Sequence, residues 1–235
     1  AQSIEIDASK TILEIGCGEG GVLKPFVDKG CKCLGVDLAQ QRLDLANEYL
    51  AEDVAKGNVS FLNQNILEEQ FLTKYKNSFD VIILKDVIEH IYEQEKFIPE
   101  LRKLLKPNGV VFFGFPPWHM PFGGHQQNAV SKWASKLPYY HILPRKMYIS
   151  ILKKFGESDG IIDSLLEIKD TQITIERFEK IVKKSNFRID KKQWFLINPI
   201  YKYKFGLNAR KQNWLFGAVP FVRNFLTTCA YYTIR

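Results

Sequence analysis

The stretch ILEIGCGEGG, residues 12–21, decides the fold because it joins a short apolar run to an acidic residue and a glycine-rich turn. This pattern predicts a first β-strand that runs into a cofactor-binding loop. Glycines suit such a loop because a backbone that turns sharply and touches a ligand leaves no room for Cβ atoms. Gly16, Gly18 and Gly21 also satisfy the dinucleotide pattern G-x-G-x-x-G, so the loop alone leaves the identity of the nucleotide-like cofactor open.

Length and composition predict one well-buried α/β domain over residues 1–235. Hydrophobic residues make up 46% of the chain and charged residues 25%, which argues against a disordered or fibrous protein. The longest apolar runs, such as Val110 to Phe115, have the length of strands, so we expect no membrane span. The polar opening with Gln2 and Ser3 does not resemble a secretory signal.

The four cysteines indicate a reducing, cytoplasmic setting, because they form neither a C-x-x-C pair nor an evenly spaced disulfide framework. Cys17 lies within the glycine loop, and two interpretations of it are open. It is either a nucleophile or a small residue that lets a ligand approach the backbone. No histidine lies near it in sequence, which favours the second interpretation.

The net charge of +7 comes largely from the second half of the chain. Nucleic acid, an anionic membrane surface or a phosphorylated substrate would each suit this charge, and so would plain solubility. Lys180, Lys183 and Lys184 fall on the exposed side of an amphipathic helix, which favours a solvated face. We expect a small-molecule acceptor and no nucleic acid, with peripheral contact to anionic lipid as an alternative role for the charge.

Apolar runs alternate with helical patterns up to residue 115, in the order typical of a parallel sheet with crossover helices. Five strands are predicted there, over residues 11–15, 33–37, 59–62, 79–84 and 110–115.

The alternation breaks after the fifth strand, where residues 117–173 are rich in aromatic residues, proline and histidine. A long insertion at the carboxyl end of a strand predicts a lid or substrate-recognition element. A helix capped by Thr174, a sixth strand over 187–196 and a seventh over 225–234 follow. We therefore expect a seven-stranded, mostly parallel sheet with helices on both faces, whose last strand is antiparallel and lies at or near an edge.

Three stretches of the sequence carry a family resemblance. Residues 14–20, EIGCGEG, match the motif E-x-G-x-G-x-G. Residues 79–91, FDVIILKDVIEHI, look like a fourth strand and its following loop, and residues 101–110, LRKLLKPNGV, like a helix, a turn and a fifth strand. In this order they resemble the Rossmann-like class I S-adenosylmethionine-dependent methyltransferases that modify small molecules, in particular those related to ubiquinone biosynthesis.

This resemblance implies S-adenosylmethionine as cofactor. Asp37 ends the second strand, where a carboxylate accepts both ribose hydroxyls, although a nicotinamide dinucleotide would use it equally well. Asn65 stands where the family commonly has an aspartate that accepts from the adenine amino group, and its amide oxygen can accept the same bond. The implied cofactor-binding residues are Glu14, Gly16, Cys17, Gly18, Asp37, Leu38, Asn65, Ile66 and Lys85.

Methyl transfer to a hydroxyl requires a base, and histidine is the natural candidate near neutral pH. We favour His125 among the four histidines, because Gly123 and Gly124 let the chain bend tightly and bring its side chain into a pocket. A lid histidine bonded to backbone is the alternative interpretation. His90 is the second candidate, since the Glu89–His90 pair commonly sits near the cofactor in the family, often as part of the loop's scaffold.

The acceptor pocket is expected to involve the insertion and the end of the fourth strand. Asp86 is a candidate for orienting the substrate or the methionine amino group, with helix capping or solvation as the alternatives. The remaining predicted substrate-binding residues are Trp118, His119, Phe122 and Trp133. Aromatic side chains here suit a flat or apolar acceptor, although each of them also suits core packing. No metal-ligand spacing is visible in the sequence, so no metal is predicted.

Three functional hypotheses follow from these residues. The first is a methyltransferase that acts on a hydroxyl of a small molecule, such as a sugar, a lipid-linked intermediate or an aromatic compound. The second is a nicotinamide-dependent oxidoreductase. The third is a catalytically silent cofactor-binding protein on the same fold.

Overall fold

One mixed β-sheet organises the chain, and the computed structural model describes residues 4–235. The predicted absence of a secretory signal rests partly on Gln2 and Ser3, which lie outside the described residues. The strands are β1 Thr11–Ile15, β2 Lys32–Asp37, β3 Val59–Asn63, β4 Phe79–Lys85, β5 Leu105–Phe115, β6 Ile189–Ile197, β7 Arg210–Lys211 and β8 Cys229–Ile234.

The sheet has the order β3-β2-β1-β4-β5-β8-β6-β7 within the described residues. The pairs among β1 to β5 are parallel, as predicted, and β8 pairs antiparallel with both β5 and β6. The prediction of seven strands was wrong, because the two-residue strand β7 adds an eighth by pairing with β6. The antiparallel orientation predicted for the last strand is confirmed, but β8 lies two strands in from the edge of the sheet, between β5 and β6.

Helices cover both faces of the sheet, which confirms the predicted three-layer arrangement. The helices are α1 Lys24–Val27, α2 Gln40–Tyr49, α3 Ala51–Ala55, α4 Glu69–Lys74, α5 Gln94–Leu104, α6 Arg145–Lys154, α7 Asp159–Thr171, α8 Ile175–Lys184, α9 Tyr201–Phe205, α10 Trp214–Gly217 and α11 Val222–Phe225.

Two hydrophobic cores follow from the alternation of side chains along the central strands. Leu13 and Ile82 point to one face and pack in the core that contains Phe178 of α8. Ile12 and Val81 point to the other face and pack in the core that contains Val27 of α1. Burial on both faces explains why each strand contains consecutive apolar residues, Ile12 and Leu13 in β1 and residues 81–84 in β4.

The insertion between β5 and α8 has a hydrophobic cluster of its own, which includes Tyr140, Tyr148 and Leu165. It packs against the loop after β4, because α7 contacts the short 3-10 helix Ile88–His90. The oxygen of Thr174 accepts a hydrogen bond from the backbone N–H of Arg177, which confirms the predicted cap of α8. None of the helices in residues 4–235 is long and apolar enough to cross a membrane.

Candidate functional site

The turn after β1 is held against β2 by two backbone hydrogen bonds. The N–H groups of Gly16 and Cys17 both donate to the carbonyl oxygen of Val36, at 2.7 and 3.1 Å. Gly16 has a φ of +67°, and a Cβ placed there would lie 2.5 Å from Cγ2 of Val87. Glycine is therefore required at this position both for its backbone conformation and for the close approach of the loop after β4.

Asp37 fixes the same turn from the end of β2. Its Oδ2 atom accepts a hydrogen bond from the N–H of Gly18 at 2.8 Å, and its Oδ1 atom accepts one from Ala39 at 2.9 Å. A carboxylate oxygen carries more than one lone pair, so both oxygens retain acceptor capacity for hydroxyl groups of a ligand. Asp37 thus positions the turn and presents acceptors next to it.

A cavity of about 350 Å³ lies beside Asp37. Leu38 lines this cavity, and its side chain is 72% exposed. It therefore offers an apolar surface that a ligand can contact. Asn65 uses its Oδ1 atom to accept a hydrogen bond from the N–H of Leu67, so its amide is held in a local turn. The fold brings together these predicted cofactor-binding residues around the cavity: Gly16, Asp37, Leu38, Asn65 and Ile66.

A second cavity of about 600 Å³ adjoins the first, since Gly16, Arg42, Asp86 and His90 line both. The larger cavity receives the other predicted cofactor-binding side chains, Glu14, Cys17 and Lys85. Gly18 is the exception, because it contacts Asp37 and lines neither cavity. Both of the adjoining cavities are lined by carboxylate and by apolar side chains.

Glu14 is the most unusual charged residue of the larger cavity. It is 2% exposed, and its Oε2 atom has no hydrogen-bond partner among residues 4–235. Burial raises the pKa of this carboxyl group to about 8, against the opposing charge of Lys85. A buried carboxyl without a partner is costly, and an ammonium group in the cavity would satisfy it.

Cys17 has the properties of an unreactive thiol. Its side chain is buried, and burial raises its pKa to about 12, so the sulfur is protonated near neutral pH. Because the thiolate is the nucleophilic form, this environment favours the interpretation of Cys17 as a small residue beside the ligand.

The two candidate bases, His90 and His125, lie together at the wall of the larger cavity. Their ring centres are 5.3 Å apart, and Nε2 of His125 lies 3.7 Å from Oε1 of Glu89. His90 and Glu89 come from the 3-10 helix after β4, while His125 comes from the insertion and has a φ of +54°. The insertion thus delivers a histidine to the end of β4, as the sequence predicted.

Burial disfavours the charged form of all three members of this cluster. It lowers the pKa of His125 to about 4, with a further contribution from the charge of His90, whose pKa burial also lowers. Burial and then the charge of Asp86 raise the pKa of Glu89 well above its usual value. A neutral imidazole in a cavity wall can accept a proton, which is the state that a general base requires.

The same three residues also have the geometry of a cation site. One ligand atom from each of Glu89, His90 and His125 lies within 4.8 Å of the others. Sequence reasoning found no sign of this group, because His125 is distant in the chain from the adjacent residues Glu89 and His90 and meets them only through the fold. The prediction that the protein uses no metal remains a prediction.

The predicted substrate-binding residues divide into two groups. Asp86 and Phe122 line the larger cavity. Trp118 is buried outside the cavity against the ring of His141, at 4.6 Å, and His119 packs on Phe225 at 5.1 Å. Trp133 is 78% exposed and lines neither cavity, so the fold does not bring these last three side chains to the site.

Sequence reasoning missed one whole side of the larger cavity. Residues after β6 and before β8 line it, namely Asn198, Ile200, Tyr201, Lys204, Phe205 and Thr228. These residues reach the cavity because β6 runs in the same direction as β5, so its carboxyl end lies at the same edge of the sheet. The sequence signal for this side was that residues 201–221 lack the pattern of a crossover helix. That signal did not show where these residues lie relative to the sheet.

Comparisons with known proteins agree with this geometry. Residues 13–113 match the family model described as a methyltransferase domain. The chain is 33% identical over 101 residues to a ubiquinone biosynthesis O-methyltransferase of Pelagibacter ubique, covering 43% of this chain and 40% of that protein. It is 34% identical over 101 residues to the enzyme of the same name in Bartonella tribocorum, covering 43% and 39%. The matched segment thus spans about two fifths of these relatives.

Solved structures share the fold over nearly the whole chain. A geranyl diphosphate C-methyltransferase from Streptomyces coelicolor, solved with Mg²⁺, geranyl diphosphate and S-adenosyl-L-homocysteine, aligns with a TM-score of 0.58 at 14% identity. That alignment covers 98% of this chain and 74% of the other. Residues 13–113 thus match a methyltransferase domain, and the whole chain has a Rossmann-like fold that is shared with solved methyltransferase structures.

Proposed function

We propose that this chain binds S-adenosylmethionine in the two adjoining cavities and methylates a hydroxyl oxygen of a small acceptor. The observation that carries the proposal is the buried, unpartnered carboxyl of Glu14 beside the glycine turn. A ligand with an ammonium group satisfies Glu14, and a ribose satisfies the acceptors of Asp37. Both groups occur in S-adenosylmethionine, so the residues present fit this cofactor.

Most of the predicted cofactor-binding residues have a role in this proposal. Asp37 accepts from the ribose hydroxyls, while Leu38 and Ile66 contact the adenine, with Asn65 beside it. Glu14 faces the methionine ammonium, and the glycine turn admits the ligand close to the backbone.

The bound cofactor supplies an electrophilic methyl group, and the protein's own contribution is alignment and proton acceptance. The acceptor hydroxyl would occupy the larger cavity beside His125, whose neutral imidazole would take its proton while the methyl group passes from the sulfonium sulfur, which leaves as a thioether, to the oxygen. Phe122 and Met120 give this part of the cavity apolar walls that exclude water. We further propose that the insertion, residues 117–173, acts as a lid within a single domain, and that the protein works in the cytoplasm.

Calorimetry with S-adenosylhomocysteine and with NAD, on the same preparation, tests the cofactor. We expect heat from S-adenosylhomocysteine and none from NAD, since the matched segment belongs to methyltransferases. Binding of NAD alone would support an oxidoreductase instead. Binding of S-adenosylhomocysteine without turnover on hydroxyl acceptors of the sugar, aromatic and lipid-linked classes would favour the silent binding protein.

A further inference from the structure

The stretch between β6 and β8, residues 198–228, combines exposed aromatic side chains with charged residues that are all lysine or arginine. We call residues 199–226 the aromatic–basic segment. From residue 191 to residue 235 the sequence contains eight lysines and arginines and no aspartate or glutamate. A stretch of this length without a carboxylate is unusual in a chain whose composition is otherwise balanced between the two signs.

The apolar side chains of this segment face solvent. The segment forms three short helices, α9 to α11, and exposes Tyr203 to 84%, Trp214 to 77% and Phe221 to 67%. Phe205, Leu215 and Phe216 are exposed as well, each by half or more. Single exposed apolar residues are ordinary, but so many large ones in one segment indicate a surface that contacts something apolar.

The cations of the segment are available to an anionic partner. Lys202, Lys204, Arg210 and Lys211 are exposed and form no ion pair with any described residue. Arg223 differs, because its guanidinium pairs with Glu176 and Glu179 of α8 and holds the segment to the body of the protein. The outward side of the segment therefore carries positive charge that the protein itself does not neutralise.

The segment adjoins the larger cavity. Ile200, Tyr201, Lys204 and Phe205 line that cavity, while Tyr203 and Trp214 on the same segment lie in solvent. The segment also pairs with the edge of β6, since it contains β7 and the N–H of Gln212 donates to the carbonyl of Trp194. The aromatic–basic segment thus forms both a wall of the larger cavity and the exposed surface beside that cavity.

We propose that the aromatic–basic segment docks the protein on the surface of an anionic lipid bilayer. Aromatic side chains that enter the headgroup region, flanked by lysine and arginine, are the features of interfacial membrane binding. A nonspecific protein partner would match the apolar surface but would not account for the complete absence of carboxylates. Short helices that lie in the interface also agree with the lack of a membrane-crossing helix in residues 4–235.

This docking extends the proposed function, on which its second part rests: the acceptor hydroxyl belongs to a lipid-borne molecule. A cavity that opens beside the membrane surface receives an acceptor whose apolar tail stays in the bilayer. The apolar residues Ile200 and Phe205 at the cavity wall suit the part of such a molecule nearest to its tail.

Cosedimentation with lipid vesicles tests the docking. The probes are vesicles of phosphatidylcholine alone and of phosphatidylcholine with phosphatidylglycerol, at low and high salt. We expect binding only to the anionic vesicles, weakened by salt because it depends on surface charge. Trp214→Ser, and separately the triple variant Lys202→Gln, Arg210→Gln, Lys211→Gln, should each weaken binding about tenfold or more.

Matched controls use exposed residues far along the chain from the segment. Tyr92→Ser removes an exposed aromatic side chain, and the triple variant Lys29→Gln, Lys74→Gln, Lys76→Gln removes the same charge. Both controls should bind the anionic vesicles as the wild type does. Equal loss in the two triple variants would reduce the effect to net charge and overturn the proposal.

Two further outcomes would also overturn it: no binding to anionic vesicles, or a dimer in sedimentation that Trp214→Ser converts to a monomer. The second would assign the surface to another copy of the chain. Calorimetry with S-adenosylhomocysteine on the same variants separates this proposal from the proposed function. Vesicle binding without S-adenosylhomocysteine binding would leave the docking intact and reject the methyltransferase.

Discussion

The Nε2 atom of His125 lies 3.7 Å from Oε1 of Glu89, yet the two groups do not form an ion pair near neutral pH. Burial lowers the pKa of the imidazole to about 4 and raises the pKa of the carboxyl group well above its usual value. Burial therefore disfavours the charged form of both groups where they meet. The imidazole of His125 is neutral near pH 7, so it is able to accept a proton.

The pKa of His125 predicts how the stability of the protein depends on pH. The pKa of the imidazole is near its ordinary value of 6.5 when the chain is unfolded and about 4 when it is folded, so the unfolded state binds more protons between these values. As the pH falls from 7 to 4.5, we expect the wild type to lose about 2 kcal/mol more free energy of unfolding than His125→Gln. Urea denaturation of both proteins at the two pH values measures this difference. Parallel losses would show that His125 is not held neutral by burial.

Removal of the proposed base should slow turnover without affecting the cofactor. His125→Ala leaves no group to take the hydroxyl proton, and we expect kcat to fall by about two to four orders of magnitude. The affinity for S-adenosylhomocysteine, measured by calorimetry, should stay within about twofold. His119→Ala is the matched control, because His119 packs on Phe225 outside the cavities. Full activity of His125→Ala would remove His125 from the mechanism.

The cluster of Glu89, His90 and His125 allows a test of the prediction that no metal is used. If the cluster acts through proton acceptance, dialysis against EDTA should leave kcat unchanged within about twofold, since proton transfer needs no cation. Activity assays before and after dialysis, with Mg²⁺ or Zn²⁺ added back, give the answer. Loss of activity that either ion restores in the wild type but not in Glu89→Gln would instead assign the cluster to a bound cation.

Asp37 should account for a large part of the cofactor affinity. Asp37→Ala removes the two charge-assisted hydrogen bonds that we propose to the ribose and the bond that holds Gly18, so we expect binding to weaken by about 2–4 kcal/mol. Calorimetry with S-adenosylhomocysteine measures the loss. Asp44→Ala on α2 serves as control, because Asp44 is exposed and lines neither cavity. Unchanged affinity in Asp37→Ala would exclude this carboxylate from the site.

The two ends of the glycine turn should respond differently to alanine. Gly16→Ala places a Cβ in a left-handed backbone conformation and 2.5 Å from Val87, and we expect a loss of at least about 1–2 kcal/mol of stability. Gly21→Ala has open space around its Cβ and should be nearly neutral. Adding Val87→Ala to Gly16→Ala relieves the contact but not the backbone strain. Thermal unfolding of the three variants separates these two contributions.

The sequence predicted the parallel half of the sheet because burial on both faces leaves an unmistakable pattern. Ile12 and Leu13 of β1, like Ile82 and Ile83 of β4, are almost entirely inaccessible to solvent, although their side chains point to opposite faces of the sheet. The glycine turn and Asp37 could also be predicted from the sequence. The turn requires glycine because of its backbone conformation, and Asp37 is recognisable because it ends an apolar strand. Local chemistry was sufficient for these features.

The C-terminal half was predicted less well because its arrangement depends on distant pairing. Strand β7 is too short to leave a pattern, and the place of β8 between β5 and β6 is set by tertiary contacts that no local window contains. Trp133 illustrates the same limit in the insertion, where an aromatic residue without periodicity gives no sign of whether it is buried. The contact between Glu89 and His125 likewise forms only when the insertion packs against the loop after β4, so it leaves no local pattern in the sequence.

Strand β8 has a consequence for the order in which the protein assembles. Until Cys229–Ile234 has been synthesised, β6 has no neighbour that joins it to β5, and the hydrogen-bonding edge of β5 stays open. The N-terminal half can form its parallel pairs during translation, whereas closure of the sheet must await the last strand. During that interval an open edge and uncovered apolar side chains are exposed together, which makes nascent chains of this protein candidates for chaperone capture.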